Sequence, residues 1–261
     1  MKRIYFFALL FFVGLCGVAF TPDRAPAEDW WRQTTNPENF SATLTFATDY
    51  VFRGVSQTDN KPAVQGSFDY KHPIGLFAGL WGSNVDDYVS DGSIELDIYG
   101  GYGLALFSDF NVQASLIYYY YPGGGSDPRK DYVEGHLGAD YTFKEWPLGP
   151  KITAGYNYSP DFFGEDGDAH YTSGRLDLSL PFELTLYGLV GYQWVEGDKS
   201  TGNGAGENGN DGFDYIHWQV GISRPLLGFT LDLSYQDTDE ANFLGEDIAD
   251  ERVVFTVSRT F

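Results

Sequence analysis

The stretch ERVVFTVSRTF, Glu251 to Phe261, alternates with a period of two. Val253, Phe255, Val257 and Phe261 fall on one face, interrupted only by Arg259, while Arg252, Thr256, Ser258 and Thr260 fall mostly on the other. That is the signature of a strand with one apolar and one polar face. An amphipathic strand at the end of a sheet presents unpaired backbone groups and invites aggregation. Pairing it with the first strand of a closed barrel removes the edge. A terminal aromatic such as Phe261 on the outward face is what the assembly machinery of outer-membrane barrels reads, and Arg259 stands where that signal usually has a second aromatic.

Alternation of the same kind recurs along the chain. Phe40–Arg53 puts Phe40, Ala42, Leu44, Phe46, Tyr50 and Phe52 on one face. Further strands are expected at Ala63–His72, Leu76–Val85, Ser93–Gly103, Phe110–Tyr121, Tyr132–Phe143, Lys151–Ser159, Tyr171–Leu180, Leu184–Val195, Tyr215–Ser223 and Phe229–Asp237. With Glu251–Phe261 the set makes twelve, an even number, and the expected fold is a twelve-stranded antiparallel transmembrane β-barrel of the outer membrane. Most meet the roughly 9–11 residues that a tilted membrane strand needs. Leu76–Val85 carries apolar residues on both parities, so alternation does not fix its facing.

The connections alternate in length. Short ones are His72–Gly75, Leu104–Asp109, Lys144–Pro150, Pro181–Glu183 and Arg224–Gly228, and the longest is the Gly- and Asp-rich Glu196–Asp214. Short periplasmic turns and long extracellular loops give this rhythm, with both termini periplasmic. Outward aromatics near strand ends suit the two interfacial girdles. Phe110, Phe143, Phe229 and Phe261 fall at the periplasmic rim, and Tyr50, Phe52, Tyr118, Tyr120, Tyr158 and Trp194 at the outer rim. A soluble sandwich or lipocalin-like barrel would reverse the faces, polar out and apolar in.

The N-terminus reads as a signal peptide over residues 1–27. Lys2 and Arg3 precede an apolar or small run to Phe20, and Gly17-Val18-Ala19 and Ala25-Pro26-Ala27 both offer cleavage sites. Residues 28–39, with Trp30 and Trp31, read as a periplasmic lead or an interfacial anchor, and residues 40–261 as the transmembrane barrel. Cys16 is the only cysteine, which excludes a disulfide scaffold or a Cys metal site in the mature chain. The formal net charge of −21 argues against nucleic-acid partners, which need a basic face.

The run TDYVFRGVSQT, Thr48–Thr58, resembles the opening of the TorF-like porin family of proteobacterial outer-membrane proteins. Trp81 with Ser83-Asn84-Val85, Glu95–Tyr99 before Gly101-Tyr102, Tyr121-Pro122-Gly123 and Tyr158–Asp161 extend the resemblance over most of residues 40–261. It implies an outer-membrane barrel and channel, and no catalytic residues or substrate.

Catalytic chemistry is not expected. His170 and Ser173, the nearest Ser–His pair, have opposite parity. Neither a cofactor nor a metal is called for, since His72, His136, His170 and His217 are scattered and Gly164–Asp168 lacks the full spacing of a calcium loop. The polar face holds the chemistry. Asp49, Arg53, Glu95, Asp97, Glu134, His136, Arg175, Asp177 and Arg252 are the candidate lumen-lining residues, because a basic group at mid-membrane facing lipid costs about 2–4 kcal/mol. Arg53 and Arg252 are expected to meet as a basic corner at the outer mouth, against an acidic wall of Glu95, Asp97 and Glu134. The acids outnumber the bases. The expectation is therefore a narrow, weakly cation-preferring channel for small polar solutes or ions, and the alternative is a non-conducting structural or surface-binding barrel with a plugged interior. Expected partners are outer-membrane lipid and lipopolysaccharide, the solute itself, and the barrel-assembly machinery through the Phe261 strand.

This reading predicts heat-modifiable migration: the detergent-folded protein runs faster on a cold gel than after boiling. Purification as a soluble protein without detergent would overturn it.

Overall fold

The computed structural model describes residues 32–90, 92–125, 128–197, 213–239 and 247–261. The signal-peptide reading, Trp30-Trp31 and most of the Glu196–Asp214 loop lie outside these residues. The barrel is the unit Asn36–Phe261. It opens with a 3-10 turn, Pro37–Asn39, where the Asn36 side chain accepts the Glu38 N–H at 3.1 Å.

The strands are β1 (Phe40–Ala47), β2 (Val51–Phe52), β3 (Val55–Ser56), β4 (Ala63–Lys71), β5 (Leu76–Asn84), β6 (Ile94–Phe107) and β7 (Phe110–Tyr120). There follow β8 (Tyr132–Thr142), β9 (Lys151–Ser159), β10 (Ala169–Leu180), β11 (Leu184–Val195), β12 (Phe213–Leu226), β13 (Phe229–Thr238) and β14 (Arg252–Thr260). Twelve of them close one antiparallel barrel, and β2 and β3 form a separate hairpin. β1 pairs with β4 on one side and β14 on the other. Phe261 donates its N–H to the Ala42 carbonyl at 2.8 Å and the Thr43 and Thr260 hydroxyls meet at 3.0 Å, so the final strand has the partner its alternation demanded.

Burial is inverted relative to a soluble barrel. Leu116 is 65% exposed and Leu137 55%, whereas Glu95 and Glu134 are 1% exposed. The apolar face points outward and the carboxylates inward, which excludes the lipocalin-like arrangement and suits a hydrocarbon surround. On β14, Val253 and Phe255 are exposed and Val254 is buried, and Phe261 just beyond the strand is exposed. Arg259 also faces out, with its guanidinium 5.3 Å from the Phe229 ring and 4.9 Å from the Phe261 ring. There the long side chain lies along aromatic surface and carries its charge to the interface.

Three sequence expectations change. β6 runs to Phe107 and β12 to Leu226, so their turns shrink to two residues, Ser108-Asp109 and Leu227-Gly228. Leu227 and Gly228 both have positive φ, the geometry of a tight hairpin. On β5 the exposed face is Leu76, Ala78 and Leu80, and Trp81 turns inward onto Tyr50 at 5.2 Å. The first strand ends at Ala47 rather than Arg53, because the chain leaves the wall there. Tyr50 and Phe52 are therefore inside the barrel instead of at the outer rim. Alternation continues through this departure, since a hairpin has the same period as the strand before it.

Leu116→Arg, at the most exposed large apolar residue of β7, is expected to destabilise the barrel by about 2–4 kcal/mol in lipid vesicles. The same change at neighbouring inward Ser115 should cost much less, which urea unfolding by tryptophan fluorescence would measure.

Candidate functional site in the lumen

Residues 48–62, between β1 and β4, fold back into the barrel. Val51 pairs with Ser56 and Phe52 with Val55 around a two-residue turn, Arg53-Gly54, with φ of 50° and 88°. Such a turn suits glycine at its second position. Space demands glycine as well: a Cβ on Gly54 would stand 2.6 Å from Thr238 Cγ2 and 2.7 Å from His217 Cβ. The tip thus abuts the wall at β12 and β13.

The base of the hairpin is stitched by Asp49, whose carboxylate accepts from Ser56 Oγ at 2.6 Å, Thr58 Oγ1 at 2.8 Å and Arg252 Nη1 at 3.1 Å. On one side the Tyr50 hydroxyl donates to Glu95 Oε1 at 3.1 Å. On the other, the Ser56 N–H donates to the Ile248 carbonyl at 2.8 Å. At the tip, Arg53 reaches across the lumen. Nη2 donates to Glu134 Oε2 at 2.6 Å, and Nη1 to Glu134 Oε1 at 3.0 Å and Gln193 Oε1 at 2.8 Å. Its guanidinium lies between the rings of Phe52 and Tyr171, 4.6 and 4.2 Å from their centroids. Arg53 and Glu134 are 7% and 1% exposed. This bidentate geometry is the strong form of an Arg–carboxylate contact.

Around the hairpin the lumen is packed. Tyr50, Tyr119, Tyr121 and Tyr132 form a buried cluster with Val85 and Val89, extended by Phe52, Trp81 and Phe162. Tyr119 and Tyr132 stack at 4.3 Å. Toward the short turns the interior opens into a cavity of about 800 Å³, lined by His72, Gln113, His136, Asp140, Lys151 and Ser173 among others. The cavity and the hairpin are linked through hydrogen bonds. Gln113 meets His136 at 3.3 Å, His136 meets Asn157 at 3.0 Å, and Asn157 donates to Glu134 at 3.2 Å.

The nine candidate residues all turn away from the outer face, but not in the arrangement expected. Arg53 and Arg252 form no basic corner. Arg252 binds Asp49 at the hairpin base, and Arg53 crosses to Glu134 on β8. Arg175 folds onto Asp177 at 2.7 Å, with its guanidinium 3.9 Å from the Tyr187 ring. Glu95 and Asp97 have no basic partner among the described residues. His136 belongs to the cavity chain, apart from the hairpin cluster. Outside the wall strands, hydrogen bonds that Lys61 donates to Asp59 and then Asp86 hold it above the usual lysine range, and Lys144 holds Asp109 below the usual carboxylate range. His170 faces outward against Tyr156 and Trp194, away from inward Ser173.

Gln193, Asn157, Ser56 and Thr58 were not singled out from sequence. A signal for the hairpin was present: Val51-Phe52 and Val55-Ser56 flank Arg53-Gly54, the pattern of a two-residue turn with glycine second.

A family model described as "Bacterial protein of unknown function (Gcw_chp)" matches residues 32–261. No curated protein matches in sequence. Among solved structures, the barrel is similar to the KdgM porin solved in complex with disordered oligogalacturonate, at 9% identity and TM-score 0.52, covering 85% of this chain and 99% of that one. It is similar also to the NanC porin, at 9% identity and TM-score 0.51, with 85% and 98% covered. At such identity the likeness is one of fold.

Removing one member of a buried pair strands the other, at a cost of about 3–5 kcal/mol. Arg53→Met is expected to destabilise by that amount in urea unfolding. Adding Glu134→Leu to it should recover most of the loss, and strict additivity of the two changes would refute the pairing.

Proposed function

The chain belongs to the Gcw_chp family of bacterial proteins, and on that premise we propose that it is a porin-like channel of the outer membrane for small polar solutes or ions. The carrying observation is a hollow cavity of about 800 Å³, with polar side chains in its lining, inside a barrel whose outer face is apolar. A twelve-stranded barrel lies between the eight strands whose interior fills with side chains and the sixteen that leave a wide aqueous channel. Passage here is set by the inward hairpin, so conductance is small. The TorF-like resemblance of Thr48–Thr58, the very segment that forms the hairpin, is part of this reading.

Phe40 and Phe261, the ends of the barrel wall, lie at the same end as the short turns, and we assign that end to the periplasm. Outer-membrane lipid and lipopolysaccharide surround the apolar belt, and the β14 strand ending in Phe261 engages the assembly machinery. The barrel is a conduit, not an enzyme. Weak cation preference follows from the inward charges. Asp49, Glu134, Asp140 and Asp177 have basic partners. Asp69 takes hydroxyl partners, from Tyr99 and Ser67, and Asp232 takes one from Tyr187, rather than a basic partner. The packed outer half favours the second reading, a non-conducting barrel.

Planar-bilayer recording separates the two. The expected result is small single-channel conductance, raised several-fold in folded Arg53→Ala, with a reversal potential favouring cations. That preference should fade toward 1 M salt, where the Debye length is about 3 Å. A folded barrel that never conducts, with or without Arg53, would establish the plugged reading.

A further inference from the structure

The cavity near the short turns has the size of a small-molecule site, since such pockets span roughly 300–1,000 Å³. Its wall recedes where Gly103, Gly138 and Gly155 face inward. These glycines do more than make room. A Cβ on Gly138 would stand 2.8 Å from His136 Nε2, and one on Gly155 would stand 3.0 Å from Ser173 Oγ. Any other residue at either position would cover a polar atom that now faces the cavity.

The hydrogen-bonding role of each group is fixed from the hairpin outward. Glu134, ionised against Arg53, can only accept, so Asn157 turns its amide N–H to it at 3.2 Å. The Asn157 carbonyl then faces His136 Nδ1 at 3.0 Å, which must carry the ring proton. His136 Nε2 is left an acceptor, and takes the Gln113 amide at 3.3 Å. Gln113 is exposed to the cavity and keeps its carbonyl free to accept in turn. Ser173 adds a hydroxyl of either role, and Phe77 an apolar face.

We propose that this cavity is a recognition site for an uncharged polyhydroxylated solute, a sugar of one or two rings, held by Gln113, His136 and Ser173. The assignment rests on the channel reading and names the solute class it selects. A sugar brings hydroxyls for alternating acceptors and donors, and C–H faces for Phe77 and the glycine wall. A carboxylate would meet the Gln113 carbonyl, and the Lys151 ammonium in the lining is already taken by Asp140. A cation would find Asp140 already engaged by Lys151 at 3.1 Å. Lys71 also lines the cavity, from the exposed end of β4 beside the turn.

Saturation-transfer NMR on the detergent-folded full barrel tests this, with glucose, sucrose, galacturonate and choline as probes and empty micelles as the blank. Glucose or sucrose should receive transfer in preference to galacturonate and choline. Gln113→Ala and Ser173→Ala should each weaken apparent affinity about five- to tenfold, the effect of losing one hydrogen bond. Gly155→Val should abolish transfer by filling the site. Should that variant fail the cold-gel folding check, the two alanine variants carry the test. Preference for galacturonate or choline, no transfer to either sugar, or sugar transfer unchanged in both alanine variants would overturn the proposal. Conductance recorded on the same preparations keeps the readings apart. A conducting barrel that ignores sugars sinks only this site, and a silent barrel that binds them sinks only the channel.

Discussion

Everything inside this barrel follows from what cannot be outside it. The outer face is Leu, Val, Ile and aromatic rings, so the charged side chains of the wall, apart from those near its ends such as Arg259, are directed into one narrow space. Removed from water, those charges must find partners there or carry a desolvation penalty of several kcal/mol each. Asp177 and Arg175 solve this two residues apart on one strand. Glu134 on β8 has no such neighbour, and its cation arrives from the tip of a hairpin that has left the wall. The hairpin is thus as much a consequence of the apolar exterior as the strands are.

The two halves of the lumen have been filled by different means. In the half reached by residues 48–62, tyrosines supply bulk and hydroxyls together, so Tyr50 and Tyr119 pack as core residues while bonding to Glu95 and Glu134. In the other half, inward glycines withdraw the wall. The boundary is Asn157, which touches Glu134 on one side and His136 on the other. Polar order on the open side therefore depends on ionic order on the packed side, across a single amide.

The wall was readable in sequence and the interior was not. Strand alternation and the rhythm of connections placed all twelve barrel strands, because lipid imposes one rule on every outward position. Inside there is no equivalent rule. The run from Phe40 to Phe52 keeps its parity while the backbone turns inward after Ala47, so parity alone put Tyr50 and Phe52 at the rim and Arg53 beside Arg252. The turn pair Arg53-Gly54 was the available hint. No feature of the sequence near Asn157 or Gln193 announces a role, since theirs comes from strands β9 and β11 being carried opposite the hairpin tip.

The barrel seam is its slimmest joint. All eight residues of β1 pair with β4, but only Thr43–Ala47 pair with β14. Those partners are more than 200 residues apart in sequence, and joints of such separation close late in folding. Arg252, the first residue of β14, is bound by Asp49 at the hairpin base, so the loop that obstructs the lumen also bolts the seam. Obstruction and closure are then one mechanical element. A sequence drifting toward a wider passage by loosening this loop gives up part of the fastening that keeps the cylinder shut, which places a ceiling on how open such a barrel can become without a second bolt elsewhere.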